Sequence, residues 1–347
     1  MGAEVDPVRW LTGHPDGPPL SPPAPLIPRL EAARATFLDL VPGAEVPSVV
    51  DLLTRRATLR GFTRRGRTSA NGTCRLLPTA DGWAALNLPR PTDIDSLPAL
   101  FEHPVDGDPW AATTRLLAKM PGAALVDRAT LLSIPAAVLP TRPKTSEPFV
   151  LHRHGEAGAA GRVVVDLSAM WAGPLCGHLL GRAGYKVFKV EDTRRPDGAR
   201  RGDPQFFEWL HHGHESVTLD FGTVAGRAAL ADVVAQADVI IESSRPRALA
   251  QLGIDAAAVV ASRPGVTWVS ITGYGRSSPR VAFGDDAAVA ASLVAYDDGG
   301  EPVFCADAIA DPVTGLYAAI AALTSQAQGG GHLAEVVMAD AAGTVLC

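Results

Sequence analysis

The sequence predicts an α/β protein in which a doubly wound parallel sheet is joined to a smaller α+β domain. After residue 161, short apolar runs alternate with helical segments at the spacing of repeated strand–helix–strand units, the pattern of a parallel sheet with right-handed crossovers. Before that point, Asp81-Gly82 separates two apolar runs, which is typical of an antiparallel hairpin. A stretch rich in proline and glycine lies between the two patterns.

These patterns divide the chain into four segments. Residues 1–44 hold closely spaced prolines, and because proline lacks an N–H donor we predict an irregular arm there. Residues 45–140 are predicted to form the small α+β domain, and residues 141–160 a linker. Residues 161–347 are predicted to form the larger domain with the parallel sheet.

Each predicted element has a local signal. In the small domain, the spacing of apolar residues predicts helices near 49–59, 93–102 and 110–119. In the larger domain, short apolar runs predict buried parallel strands, and the segments between them predict helices. The predicted strands are 163–167, 186–191, 216–219, 239–242 and 266–271, and the predicted helices are 173–183, 226–236, 246–261 and 287–296.

Composition and charge argue against several classes of protein. The 347 residues carry 31 Lys+Arg and 37 Asp+Glu, a net charge of −6, and the absence of basic clusters argues against a nucleic-acid binder. No apolar run approaches the roughly 18 residues of a membrane helix, and residues 1–6 do not start a signal peptide. The four cysteines form no CxxC pair, which predicts neither a zinc site nor a disulfide framework. We therefore expect a cytoplasmic protein without a membrane partner or a metal.

Ligands of such sheets bind beyond the carboxyl ends of the strands, so the turn after the first strand is the first place to examine. It runs from Ser168 to Gly173 and lacks GxGxxG, which argues against an enzyme that binds NAD or FAD. Gly177 and Gly181 follow on one helical face, where close helix–sheet packing is favoured over ligand contact.

Two polar features beyond later strands each allow two interpretations. His211, His212 and His214 form a histidine cluster, but no acidic or cysteine ligands lie nearby at metal spacing, which favours a solvated turn over a metal site. Arg245 follows the strand 239–242, where its guanidinium could bind a phosphate or form a surface ion pair.

Asp311 precedes Pro312 and an apolar helix. A helix N-cap followed by proline would explain this pair structurally. The same position also stabilises an ionised carboxylate that could act as a nucleophile. Asp285-Asp286 precedes another predicted helix in a similar arrangement.

Residues of about 162–345 resemble the family III CoA-transferases, the CaiB/BaiF family, which includes formyl-CoA transferase and α-methylacyl-CoA racemase. The resemblance rests on ordered blocks rather than on one motif. The matching blocks are 164–168 with 172–174, 189–191, 237–254, 269–279, 310–317 and 335–342. Residues of about 70–140 also look like the small domain of the family, which there follows the CoA-binding half. Here that domain comes first, so the chain looks permuted, or like a rearranged piece of a longer two-copy relative.

The resemblance implies a Rossmann-like, CoA-binding large domain and gives roles to particular residues. Asp311 matches the aspartate that attacks an acyl-CoA thioester and forms a mixed anhydride and then an aspartyl-CoA thioester. Arg245 is expected near the nucleotide phosphates of CoA. His214 stands where the family often carries Lys or Arg and is the candidate replacement for a phosphate-facing cation. The turn Met170-Trp171-Ala172 is expected near the adenine end.

The implied function is a CoA-transferase that moves CoA between an acyl-CoA and a carboxylic acid, in a homodimer. One alternative is an acyl-CoA racemase or isomerase that exchanges the α-proton, although Asp285-Asp286 stands where that branch carries a histidine. Another is a non-catalytic CoA-binding homologue, since the domain order is permuted. The sequence does not identify the acyl group.

Overall fold

The computed structural model describes residues 6–142, 147–159 and 161–346. Parts of two predicted segments, the start of the arm (1–5) and residues 143–146 and 160 of the linker, lie outside the described residues, as does residue 347. The strands are β1 (Cys74–Pro78), β2 (Trp83–Asn87), β3 (Ala136–Val138), β4 (Val150–Arg153), β5 (Val163–Asp166), β6 (Lys186–Asp192), β7 (Glu215–Leu219), β8 (Val239–Glu242), β9 (Thr267–Thr272), β10 (Val294–Tyr296), β11 (Pro302–Phe304) and β12 (His332–Val337).

The α-helices alternate with these strands along the larger domain. They are α1 (Pro7–Trp10), α2 (Leu26–Leu40), α3 (Val49–Arg60), α4 (Pro91–Asp95), α5 (Leu97–Phe101), α6 (Pro109–Leu117), α7 (Gly122–Leu132), α8 (Ala172–Arg182), α9 (Pro204–His211), α10 (Val224–Ala235), α11 (Pro246–Gln251), α12 (Ala256–Ser262), α13 (Gly284–Ala290), α14 (Ala310–Ala327) and α15 (Met338–Gly343).

The main sheet has seven strands in the order β4-β12-β9-β8-β5-β6-β7. All neighbours are parallel except β4, which runs antiparallel to β12. Successive side chains enter opposite cores because strand residues alternate between the faces: Val164 lies in the core that contains α8 and α14, and Val165 in the core that contains α10 and α12. Helices on both faces confirm the predicted doubly wound sheet.

The smaller α+β unit is an antiparallel sheet of β1, β2 and β3, with β2 in the centre. The predicted hairpin at Asp81-Gly82 joins β1 to β2. Its own core contains apolar residues of α5, α6 and α7, among them Leu97, Leu117 and Leu125. Helix α3, which we predicted as part of this unit, instead packs on the core of the main sheet through Leu52 and Leu53.

The prediction of an irregular arm over 1–44 is wrong for residues 26–40, which form α2 and pack against α14. Leu26, Leu30, Ala33 and Phe37 are buried along one helical stripe, so helix formation is coupled to core formation. The closely spaced prolines end before this stripe. Pro28 lies in the first turn of α2, where a backbone N–H would have no acceptor within the helix, so its absence costs no hydrogen bond.

The predicted linker also contains an ordered element, since residues 150–153 form β4 and extend the main sheet. The prediction was based on the surrounding prolines and glycines and overlooked the strand-forming residues Val150 and Leu151. Two helix predictions change as well. The helix 246–261 is divided into α11 and α12 around Gly253, whose φ of +85° ends the first helix; the helix 287–296 is α13 followed by β10. No helix of the described residues is long and apolar enough to cross a membrane.

Candidate functional site

Asp311 lies in the first turn of α14, and only 9% of the residue is exposed. The predicted N-cap role is wrong, because the helix begins earlier: Ile309 is the N-cap, and no side chain there caps the helix. The carboxylate instead faces the backbone amides of Gly284 and Ala172. A Cβ atom on residue 284 would lie 2.4 Å from Oδ2 of Asp311, so this approach requires glycine. Asp311 therefore points into the junction of α8, α13 and α14.

This junction depends on the close packing of α14 against α8. A Cβ atom on Gly315, one helical turn after Asp311, would lie 2.8 Å from the carbonyl oxygen of Ala172 and 2.9 Å from Cβ of Leu175. The absence of a side chain lets the first turn of α14 reach the amino end of α8. By contrast, a Cβ atom on Gly177 or Gly181 would make ordinary contacts at 3.5 Å or more. The expectation that those two glycines serve close packing is thus not met.

Asp311 has three acidic neighbours and one cation. Burial raises the pKa of Asp311 to about 7, although the charge of Arg56 and the amides of Gly284 and Ala172 oppose this rise. Asp285 has its pKa raised to about 8, by burial first and then by Asp307. Burial also raises the pKa of Asp286 to about 7, against a hydrogen bond from Asn87 Nδ2 at 3.1 Å.

Arg56 supplies the positive charge from α3. Its Nε and Nη2 atoms donate to the two carboxylate oxygens of Asp307 at 2.8 and 2.6 Å. The guanidinium also lies 4.6 Å above the ring of Trp171. Asp307 is fully buried, so this paired geometry compensates a charge that would otherwise be costly.

The turn after β5 is built on buried charges. Nζ of Lys189 lies 3.1 Å from Asp197 and 3.6 Å from Asp166, and it donates to the carbonyl oxygen of Ser168. The backbone N–H of Met170 donates to Asp197 at 2.9 Å. This network holds Met170 at a φ of +74°, an uncommon conformation for a residue other than glycine.

The predicted residues of this turn have different environments. Met170 is exposed, whereas Trp171 is 1% exposed and packs edge-on against Phe206. Ala172 contributes its backbone amide to the surroundings of Asp311. The structure thus brings together the backbone of the predicted turn and Asp311, and the indole of Trp171 belongs to the core.

Arg245 lies at the carboxyl end of β8, where the sheet predicts a ligand. It is exposed and donates from Nη1 to Ser133 Oγ at 3.1 Å. Its pKa is lowered by burial first and then by the positive charges of Arg247, Arg195 and Arg90. Within the described ranges, Arg195, Arg245 and Arg247 form no ion pair. Arg90 is paired with Asp93, so the four arginines form a basic patch in which three of the charges have no acidic partner within the described ranges.

His214 has a different position from the one expected for a phosphate-facing cation. Its ring lies against Gly177 and Gly181 of α8, and both ring nitrogens are buried without a hydrogen-bond partner. Burial first, opposed by Asp166, lowers its pKa to about 4, so the ring is neutral at pH 7. His211 meets it edge-on at 5.7 Å. The interpretation of this segment as a solvated turn is wrong for these two rings and holds for His212, which is exposed.

A groove of about 850 Å³ lies on another side of α8. Its lining includes Asp51 and Arg55 of α3, His178 of α8 and Trp209 of α9, and it does not include Asp311. Among the residues that the structure describes, no group of three or more His, Cys, Asp or Glu side chains is arranged to hold a metal ion.

Sequence reasoning missed Arg56, Asp307 and the companions of Arg245. For Arg56 a signal was present, because it lies four residues after Leu52 and three after Leu53, on the apolar face of α3. A charged residue on such a face needs a buried partner. The partner itself, Asp307, had no local signal.

Comparison with known proteins gives the site a context. The model of CoA-transferase family III matches residues 160–346. The succinate–glutarate CoA-transferase of Agrobacterium fabrum is 27% identical over 209 residues, which cover 54% of this chain and 52% of that protein. The succinyl-CoA–D-citramalate CoA-transferase of Chloroflexus aurantiacus is 27% identical over 189 residues, covering 50% of this chain and 47% of that protein.

One solved structure adds to these relatives. A CaiB/BaiF family protein from Brucella suis is 29% identical, with a TM-score of 0.49, and the match covers 55% of this chain and 56% of that one. The chain spans about half the length of the curated relatives it matches.

Proposed function

The chain belongs to CoA-transferase family III, and from this membership we propose that it moves CoA between an acyl-CoA thioester and a carboxylic acid, with Asp311 as the nucleophile. The observation that carries the proposal is the position of the Asp311 carboxylate. It lies at a helix amino end, against two backbone amides and within the field of a guanidinium. These groups favour the ionised form of a buried carboxyl, and that form is the nucleophile.

The reaction is an exchange of acyl bonds at one carboxyl group. A carboxylate oxygen of Asp311 attacks the thioester carbonyl carbon, the C–S bond breaks, and the CoA thiolate leaves behind a mixed anhydride. The thiolate then attacks the aspartyl carbonyl carbon, which releases the first carboxylate and leaves an aspartyl-CoA thioester. The acceptor carboxylate repeats the two steps in reverse, so that new acyl-CoA leaves and Asp311 is again a carboxylate. Covalent catalysis thus divides one transfer into steps of similar energy.

The backbone amides near Asp311 suit the charge that develops in these steps. Each attack on a carbonyl carbon places negative charge on its oxygen, and fixed N–H donors stabilise such an oxyanion. The amides of Ala172 and Gly284 already face the aspartyl carboxylate. We assign to them the stabilisation of the oxyanion when the aspartyl carbonyl is attacked.

The basic patch of Arg90, Arg195, Arg245 and Arg247 is the proposed site for the phosphates of CoA. Guanidinium groups bind phosphates through paired hydrogen bonds, and three of these four have no acidic partner within the described ranges. Met170 and the backbone of the turn after β5 stay assigned to the adenine end. His214 is not part of this proposal, because its ring is neutral and packed against α8.

The names of the relatives suggest which acyl groups to test. Two of the proteins reported above carry names with succinate, glutarate or succinyl-CoA. We therefore propose short dicarboxylic acids as the first acceptors and their CoA thioesters as the first donors. The homodimer and the cytoplasmic location stay predictions, which light scattering and cell fractionation can check.

One observation favours a second candidate, exchange of the α-proton. This reaction needs two acid–base groups, one of which must hold a proton at neutral pH. Asp285, with its pKa raised to about 8, satisfies that requirement beside Asp311. In this alternative Asp311 removes the α-proton and Asp285 donates one to the opposite face.

Intact-protein mass spectrometry tests the proposal. Wild type, Asp311→Asn and the exposed control Asp232→Asn are incubated with succinyl-CoA, glutaryl-CoA and a wider acyl-CoA panel. We expect an acyl- or CoA-sized adduct that hydroxylamine removes, in wild type and the control but not in Asp311→Asn. If wild type stays unmodified but the acyl-CoA gains solvent deuterium at its α-carbon, the second candidate is established instead. CoA binding with neither reaction would indicate a non-catalytic homologue.

A further inference from the structure

The loop that leads into α14 has an unfavourable backbone conformation. It runs from Cys305 to Ile309, and both Ala306 and Ala308 have positive φ angles, of +55° and +44°. Residues other than glycine adopt this conformation rarely and persist in it only when their surroundings hold them. Because Asp311 lies only two residues beyond this loop, whatever holds the loop also sets the position of the Asp311 carboxylate.

Three side chains hold the loop. Thr12 Oγ1 accepts a hydrogen bond from the N–H of Ala306 at 3.2 Å. Asp285 Oδ1 accepts one from the N–H of Ala308 at 3.0 Å. Between these two points, Arg56 binds Asp307 through two hydrogen bonds. Two of the three, Thr12 and Arg56, lie outside the residues that match the family.

Arg56 also provides positive charge beside the nucleophile. The titratable groups around Asp311 are Asp307 on the loop, Asp285 and Asp286 on α13, and Arg56 on α3. Among these, the acids oppose ionisation of Asp311 and Arg56 favours it. The guanidinium has little freedom to move away, because it is fixed between Asp307 and the face of the Trp171 ring.

We propose that Arg56 is a positioning residue for the reaction of Asp311: it holds the loop 305–309 through Asp307 and presents its charge to the Asp311 carboxylate. The inference rests on the proposed function. It means that a helix outside the family-matched residues completes the site. A purely structural ion pair would stabilise the fold equally well but would leave the pH dependence of the reaction unchanged.

The test uses two substitutions of the full chain and one control. Arg56→Gln combined with Asp307→Asn keeps a hydrogen-bonded pair of similar shape without leaving a buried charge unpaired. Arg56→Lys keeps the charge but loses the bidentate contact with Asp307. Arg60→Gln removes an exposed arginine from the same helix. Each protein is assayed for the rate of adduct formation from succinyl-CoA between pH 5 and 9, and for amide hydrogen exchange of the peptide that covers 305–311.

In the double variant we expect adduct formation to slow about 10- to 100-fold, since small displacements of a reacting group have effects of this size. The midpoint of its pH profile moves upward, because Arg56 lowers the pKa of Asp311 more than Asp307 raises it, so that loss of both charges leaves a net rise. The concentration of acyl-CoA at half-maximal rate changes little. Arg56→Lys keeps the midpoint near that of wild type but slows the reaction. In both variants the loop exchanges faster than in wild type, and Arg60→Gln matches wild type throughout.

A double variant with the rate, pH midpoint and loop exchange of wild type would overturn the role of Arg56. If the double variant does not fold, Arg56→Lys decides: a wild-type rate together with wild-type loop exchange would overturn the proposal. Failure of the proposed function looks different, because wild type itself then forms no adduct. In that case hydrogen exchange still tests whether Arg56 holds the loop 305–309. Exchange of this loop at the wild-type rate in both variants would refute that claim.

Discussion

The Nζ atom of Lys189 lies 3.1 Å from Oδ2 of Asp197, and neither side chain exposes more than 1% of its surface. Lys189 is on β6, whereas Asp197 follows that strand and binds the backbone of Met170. The pair therefore ties β6 to the turn after β5. This buried ion pair thus helps to fix the backbone just before the amino end of α8.

Replacing Lys189 by Met should destabilise the fold strongly. Asp166 and Asp197 would remain buried without their cation, and breaking such a pair costs about 3–5 kcal/mol. Lys186→Met is the matched control on the same strand, because Lys186 pairs with Glu215 at an exposed site and such pairs contribute about 0–1 kcal/mol. Urea unfolding followed by circular dichroism measures both. Equal losses in the two variants would contradict the assigned role of Lys189.

Gly315→Ala should impair catalysis more than ligand binding. The added methyl group would meet the carbonyl oxygen of Ala172 at 2.8 Å, so the first turn of α14 must shift and carry Asp311 with it. We expect adduct formation to slow at least about tenfold with little change in CoA affinity. Single-turnover kinetics and calorimetry measure the two quantities. In the control Gly181→Ala, where the nearest atom would lie at 3.5 Å, both should stay near wild type; a similar loss of rate there would disprove the packing argument.

Asp285→Asn should stabilise the protein more at high pH than at low pH. The pKa of Asp285 is raised from 3.8 to about 8 in the folded protein, so the folded state binds this proton more tightly than the unfolded state. Its contribution to stability is complete below about pH 4 and is lost as pH rises through 8. Asparagine does not titrate, so the free energy of unfolding of the variant relative to wild type should increase between pH 5 and 9.

Urea unfolding at several pH values measures this difference, and it should grow by about 1–3 kcal/mol over the range. Asp232→Asn, an exposed substitution on α10, should show no comparable increase. A relative stability of Asp285→Asn that is flat or falls with pH would refute the raised pKa.

Arg245→Gln should weaken the binding of CoA and reduce its sensitivity to salt. Removing one guanidinium from the basic patch takes away a charge-assisted contact, for which we expect about a tenfold loss of affinity at low ionic strength. Isothermal titration calorimetry across salt concentrations gives both quantities. Arg29→Gln, an exposed change on α2, is the control. Unchanged affinity and salt dependence in Arg245→Gln would place the phosphates elsewhere.

The features that could be predicted from the sequence are those that depend on residues close together in the chain. Five of the seven strands of the main sheet, β5 to β9, were predicted, the most buried of them from continuous apolar runs such as 163–166 and 239–242. Strands β4 and β12 were not predicted. Asp311 and Arg245 could be singled out because both lie within blocks that resemble the family. Helix α2 was missed because the prolines before it concealed the apolar stripe from Leu26 to Phe37.

The rest of the site depends on contacts between distant parts of the chain. Arg56 and Asp307 are 251 residues apart in sequence, and nothing near either residue specifies the other. The rings of His211 and His214 were predicted to face solvent because their segment is polar. In the structure both residues are half-buried instead, and the ring of His214 lies against Gly177 and Gly181 of α8.

The buried acids around Arg56 hold more potential negative charge than one guanidinium neutralises, so the resting site stores protons. Converting Asp311 into an uncharged acyl group removes one of these potential charges. Asp285 and Asp286 would then lose their protons more readily, because less repulsion opposes their ionisation. In a covalent cycle through Asp311, the two neighbouring carboxyl groups would thus release protons when Asp311 is acylated and bind them again when it is freed.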